Sequence, residues 1–319
     1  PVQGKEKERR TTVNILLNGA SRFFATAVAA VLFFALTSLP AVAMGKDAQN
    51  ISALEYRISD GTVLKGWVSV PPGSKGKKLP GIILIHGGSS LSDKNEKFGP
   101  KHFLEMKEVQ RSIGSKYAVF SVEYKSNYFG DALEFESITA AYRKFISEPY
   151  VDSDRLATVG ISHGGFLALL SALDPANGVR AKAVADISGV VDLEMHVRFY
   201  EKKIKEEPKL ANYDKYAVSG VKKELGWPPD RDSATRENYR KRSALSFVGS
   251  SNIPILVVHG ERDKFVPFEH ATALNKEAEK HGKKIQFKPV GGWLKGNHFL
   301  IAGNDSVWEA VMEFLEKNI

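Results

Sequence analysis

Ser162 sits in Gly160-Ile161-Ser162-His163-Gly164, a match to G-x-S-x-G. In that pattern a serine occupies a sharp strand-to-helix turn, and the glycines let backbone and helix crowd together beside it. A serine hydroxyl becomes a nucleophile only when a base takes its proton. The base, in turn, needs an acid to fix its tautomer and stabilise the imidazolium. A match of this kind arises by chance in roughly one chain in ten of this length, so its surroundings decide. The apolar run 156–159 (LATV) leads into it and the Ala/Leu-rich stretch 165–173 leaves it. That is the strand, turn and helix the chemistry requires.

Downstream of such a turn the acid is expected first and the histidine after it. Asp263 ends HGERD (259–263) just after the buried-strand pattern 255–258, at a carboxyl end, where open α/β sheets place their sites. Asp192 also follows a strand pattern and is the rival acid. The strand-to-turn context and the following Val266-Pro267 favour Asp263. His298, in Gly296-Asn297-His298, follows the last strand pattern and precedes the carboxyl-terminal helix pattern, where a loop can carry a base. His270 and His281 are alternatives, but both fall on a helical pattern and read as exposed helical residues. Acyl transfer also needs backbone N–H groups aimed at the developing oxyanion. His86-Gly87-Gly88 ends a buried strand pattern, so one donor is expected at Gly88, with Gly87 or Ser89 as alternatives. The second is His163, the residue after the nucleophile.

These residues need a sheet to hold them. Runs 81–86, 117–122, 156–159, 181–187 and 255–258, with 285–290 as a weaker case, are mainly apolar, as in strands buried on both faces. Helical patterns lie between and after them at 102–113, 132–147, 164–173, 268–281 and 306–317. Alternation of this kind implies βαβ crossovers and a mostly parallel sheet flanked by helices. Ahead of it, 51–58 and 63–70 flank Asp60-Gly61 as an opening hairpin. Residues 192–247 break the rhythm; polar, rich in Lys, Glu and Tyr, and carrying Trp227-Pro228-Pro229, they read as a helical insertion over the site.

Together the stretches 80–88 (PGIILIHGG), 151–169 (VDSDRLATVGISHGGFLAL), 253–267 (IPILVVHGERDKFVP) and 296–299 (GNHF) resemble an α/β-hydrolase. Within that superfamily they are similar to prolyl-oligopeptidase-type catalytic domains and to the dienelactone-hydrolase and acetyl-esterase groups. The resemblance spans nearly everything after residue 50. It implies an α/β-hydrolase fold with Ser162 as nucleophile, Asp263 as acid and His298 as base. There are departures. About 30 residues separate the expected mature start from the first long buried strand, so the propeller of prolyl-oligopeptidase-type enzymes is not expected. Tyr124-Lys125-Ser126 stands where members often have Tyr-Arg-Gly, and no glutamate pair to hold a free amino terminus is evident. Dienelactone hydrolases proper use a cysteine nucleophile. These departures favour carboxylic-ester hydrolysis over the alternatives, a peptidase acting on short peptides or a catalytically inactive binding protein.

The 319 residues contain no Cys, which excludes disulfides, thiolate metal sites and a cysteine nucleophile. No metal or organic cofactor is implied. The formal charge of +8 accompanies no nucleic-acid-binding signature, so the expected partner is a small ester or short peptide and not nucleic acid. Part of the surplus lies near the start. Lys5, Lys7, Arg9, Arg10 and Arg22 precede the uncharged run 23–36 (FFATAVAAVLFFAL) and Ala41-Val42-Ala43. A basic region, an apolar region and an A-x-A ending describe a secretory signal cleaved after Ala43. Residues 44–319 would then form one exported domain, secreted or periplasmic and without stable membrane insertion. The alternative is an uncleaved anchor carrying the same domain outside the membrane.

Overall fold

The computed structural model describes residues 50–88, 99–125, 130–292 and 296–319. The expected signal, residues 1–43, therefore lies outside the described residues. Eight strands form one sheet in the order β1-β2-β4-β3-β5-β6-β7-β8. They are β1 (Asn50–Arg57), β2 (Val63–Val70), β3 (Leu79–Ile85), β4 (Ala118–Val122), β5 (Val151–Ile161), β6 (Ala183–Ile187), β7 (Ile255–Gly260) and β8 (Gln286–Val290). The hairpin β1–β2 is antiparallel and joins β4 antiparallel, whereas β4 through β8 pair in parallel. This is the mostly parallel α/β sheet expected from the apolar runs, and residues 49–319 are one compact unit.

Side chains alternate across each strand, and the two faces build two cores. Ile83, Ile85, Val184 and Val257 pack on one face with Phe166 and Leu167. Ile82, Leu84, Ala185 and Leu256 pack on the other with Trp308 and Phe314. The helices are α1 (Pro100–Glu105), α2 (Lys107–Arg111), α3 (Ala132–Ile146), α4 (His163–Leu173), α5 (Leu193–Glu206), α6 (Gly220–Leu225), α7 (Ser233–Arg240), α8 (Leu245–Val248), α9 (Glu269–Lys280) and α10 (Asp305–Asn318).

Two local differences have physical causes. The helix expected over 102–113 is two helices, because Met106 adopts extended backbone (ψ 131°). The break lets Phe103 and Leu104 as well as Val109 and Ile113 face the sheet. Strand β5 begins at Val151, five residues before the apolar run. Val151 and Asp152 pair with Leu79 and Pro80 across an irregularity at Pro80/Gly81, so backbone pairing extends where side chains are already polar.

Residues 192–247 form α5 to α8. Their two ends meet at the Asp192–Ser243 bridge and at the Ala244 N–H, which donates to the Val191 carbonyl at 2.8 Å. The excursion thus leaves at the carboxyl end of β6 and is closed at its base by these contacts, before the chain returns to the sheet at the amino end of β7, Ile255.

Candidate active site

Ser162 joins β5 to α4 with φ 56° and ψ −122°, a conformation costly for any residue with a Cβ. Its surroundings impose it. The Ser162 N–H donates to the Ile187 carbonyl at 2.9 Å, and the Ser162 carbonyl accepts from the Gly165 and Phe166 amides. A Cβ on residue 160 would lie 2.0 Å from the Gly164 carbonyl oxygen, and one on residue 164 would lie 2.1 Å from the Ile85 carbonyl oxygen. Both glycines of the motif are therefore steric requirements of a helix packed this close to its strand.

Asp263 follows β7. Its Oδ1 accepts the Phe265 and Val266 amides, each at 2.9 Å. Its Oδ2 is 2.6 Å from His298 Nδ1, and His298 Nε2 is 2.9 Å from Ser162 Oγ. With Nδ1–H donating to the carboxylate, Nε2 is left to accept the serine proton. The two loops are locked together by Gly296. Its carbonyl accepts the Arg262 amide at 3.2 Å and sits 2.4 Å from where a Cβ on Gly260 would be. Residues 162, 263 and 298, distant in sequence, thus form one hydrogen-bonded chain at the carboxyl edge of the sheet.

The expected oxyanion donors adjoin. A Cβ on Gly88 would be 3.9 Å from His163 Cβ, and one on Gly87 3.3 Å from Ser162 Cβ. Ser89 lies outside the described residues. The His163 amide opens α4, where first-turn amides point away from intrahelical acceptors. Its imidazole is only 5% exposed and lies 2.9 Å from Glu134 on α3. The other Glu134 oxygen accepts the Gly130 amide at 2.9 Å. Glu134 carried no signal in the sequence, because an acid in the first turn of a helix is ordinary.

Asp192 does not approach His298. It caps α5 by accepting the Met195 amide at 2.8 Å. His281 is half-exposed and lies 3.3 Å from Glu277. His270 corrects the expectation of an exposed residue: it is 1% exposed, with Nδ1 3.3 Å from the Val191 amide, because α9 turns that face onto the sheet. It belongs with His196 and His259, also buried. Burial pushes all three imidazoles down, His196 to about 3. They are thus neutral around pH 7. His259 reaches the Val266 carbonyl at 2.9 Å and supports the acid loop from behind.

The mouth of the site is aromatic. Phe265 lies 5.6 Å from the His298 ring and 4.7 Å from Phe299. The insertion contributes Tyr213, 6.0 Å from Phe265, and Lys203, whose Nζ lies 5.3 Å from the Phe265 ring and donates to the Lys264 carbonyl. Phe299 and Leu300 are exposed.

The BD-FAE family model matches residues 68–278, about two thirds of the chain, including the serine turn and Asp263. The chain belongs to the BD-FAE family. Among curated relatives it is 27% identical over 183 residues to the uncharacterized peptidase YtmA of Bacillus subtilis, covering 56% of this chain and 62% of that one. The chain spans less than two thirds of that relative. Solved structures share the fold, two of them as follows. Pyrococcus horikoshii acylaminoacyl peptidase superposes with a TM-score of 0.64 at 21% identity, over 86% of this chain and 42% of that one. A thermophilic esterase from Thermogutta terrifontis superposes with a TM-score of 0.58 at 16% identity, over 83% of this chain and 90% of that one. The fold is that of the α/β-hydrolases, of prolyl-oligopeptidase-like type.

Proposed function

We propose that the protein is a serine hydrolase that cleaves carboxylic esters through an acyl-enzyme. The observation that carries this reading is the Ser162–His298–Asp263 chain, with separations of 2.9 and 2.6 Å. Ser162 Oγ attacks the ester carbonyl as His298 Nε2 takes its proton. The tetrahedral oxygen is held by backbone amides at His163 and at the Gly87–Gly88 turn. His298 then returns the proton to the departing alcohol, and water repeats the sequence to release the acid.

One feature supports an ester over a peptide. Among the described residues, Lys203 and Lys264 stand beside Phe265 at the mouth, and their charge disfavours the protonated amino terminus of a short peptide. The second reading, hydrolysis of short peptides, is favoured by the relationship to YtmA, which is named a peptidase. On the ester reading, kcat/KM for a short alkyl ester exceeds that for an aminoacyl or prolyl arylamide by at least roughly 10³, about 4 kcal/mol in barrier. Comparable rates on the two would overturn it in favour of the peptidase. A fluorophosphonate probe should label Ser162, and a folded chain that stays unlabelled would point to a binding protein. The domain is taken to be 44–319, exported by residues 1–43, with 192–247 as the insertion that shapes the mouth.

A further inference from the structure

Asp186 interrupts the apolar run of β6, paired across the sheet with Gly160 of β5 and Val257 of β7. It points to the same face as Val184, the face covered by α4, and it is 0% exposed. Its Oδ1 lies 2.1 Å from where a Cβ on Gly165 would be, and 2.1 Å from one on Gly189. The carboxyl is thus wedged between the first turn of α4 and the turn after β6. Gly165 is the residue whose amide closes onto the Ser162 carbonyl at 2.9 Å. The wedge therefore bears directly on the backbone that holds the nucleophile.

Neither Asp186 oxygen meets a well-aligned hydrogen-bond partner; among the described residues the Gly189 amide alone approaches it, a weak contact that burial outweighs. Buried polar groups without partners are rare in folded proteins and call for an explanation. The groups packed against this one are Gly160 on β5, Gly165 on α4, Val257 on β7 and the Ser188-Gly189 turn, none of them charged. His163, the titratable residue of the α4 turn, is directed to Glu134. The amino terminus of α4 favours an anion, but burial outweighs it and pushes the carboxyl up to about 8.

We propose that Asp186 is a positioning residue for the nucleophile turn, held as a neutral acid beneath it, and that its ionisation sets the alkaline limit of the reaction. The inference rests on the serine-hydrolase reading of the site. A neutral acid braces the turn without opposing the negative charge that develops on the substrate oxygen above it. An anion at the same place opposes that charge and draws water toward the turn, so turnover falls as the proton leaves.

The test compares wild type with Asp186→Asn, a neutral isostere, by the pH dependence of kcat/KM on a short alkyl ester. Wild type should lose about tenfold per pH unit on the alkaline side of the ionisation. The variant should keep activity within about threefold at pH 7 and lack that limb. Infrared titration of Ser162→Ala protein reads the acid without turnover. A protonated-carboxyl band should persist at neutral pH, bleach through about pH 8, and be missing when Asp186→Asn is added. An alkaline limb unchanged in Asp186→Asn would overturn the proposal, as would a missing band at neutral pH. If Asp186→Asn does not fold, the band in the Ser162→Ala protein decides. If wild type cleaves no ester at all, the reading of the site fails, whereas the band still supports or refutes the buried acid.

Discussion

Ser162 adopts a backbone that its own side chain disfavours, and the compensation comes from the hydrogen bonds and close contacts around it. The strain and the placing of the hydroxyl against His298 belong together. Ser162→Ala should therefore fold normally and lower kcat on esters by several orders of magnitude, since members of a triad act as a unit. A folded variant keeping a tenth of the activity would refute the role of this serine. The two candidate acids separate as sharply. Asp263→Asn puts the amide where Oδ2 accepts from His298 and reverses the tautomer, with a loss on the order of 10⁴-fold in kcat. Asp192→Asn keeps an oxygen that can accept the Met195 amide at the cap of α5, so activity and stability should both stay near wild type. Steady-state kinetics beside thermal melts checks both. At this scale the sequence was legible for Ser162, Asp263 and His298, because each follows a strand pattern at its carboxyl end. It was blind to Glu134 and ambiguous at His270, since burial is set by which way a helix turns and not by residue type.

At the scale of elements, the turn between β5 and α4 leaves no room for a side chain at either glycine of the motif. Gly164→Ala would drive a methyl to 2.1 Å from the Ile85 carbonyl oxygen, and backbone there cannot yield as a flexible side chain does. A loss of roughly 3 kcal/mol or more, or failure to fold, is expected, read as urea unfolding. Glu134→Gln tests the brace between α3 and α4 through His163. If Glu134 orients the residue that supplies an oxyanion amide, kcat should fall about tenfold or more with KM nearly unchanged. A raised KM with kcat unchanged would instead assign Glu134 to substrate binding. The helices themselves were readable from their 3.6-residue apolar spacing, as with α3, expected at 132–147 and found at Ala132–Ile146. The break at Met106 was not readable, because it answers to two sets of apolar residues competing for one sheet face.

For the whole molecule, buried titratable groups set an optimum pH of stability. His196, His259 and His270 are pushed down by burial. The unfolded chain therefore binds protons below about pH 6.5 that the folded chain refuses, and stability falls as pH drops through that range. Asp186 works the other way. Its folded value near 8, against 3.8 unfolded, gives stability that is complete at low pH and is lost as pH rises through about 8. Between pH 6.5 and 8 the carboxyl acts without the imidazoles, removing about 1.4 kcal/mol per pH unit. Thermal midpoints should thus peak near pH 6.5 and decline by a few degrees per unit toward pH 8. A midpoint that rises steadily to pH 8 would contradict this. Export is tested at the same scale: protein recovered from a secreting host should begin at or near Met44, whereas full-length chain in the membrane fraction would indicate an anchor.

The order of strands and helices, the parallel core of the sheet and the place of each motif along it were determined by the sequence alone. Continuous apolar runs and 3.6-residue spacing are local, and a strand buried on both faces has few other ways to be written. Only the tertiary structure decided that His298 and Asp263 meet over Ser162 and that Asp192 stays in its cap. It alone showed that Glu134 and Asp186 stand around and beneath the nucleophile. Those contacts join residues tens to well over a hundred positions apart. Their distances depend on how close two backbones come, a quantity set by glycines and packing and carried by no single segment of the chain.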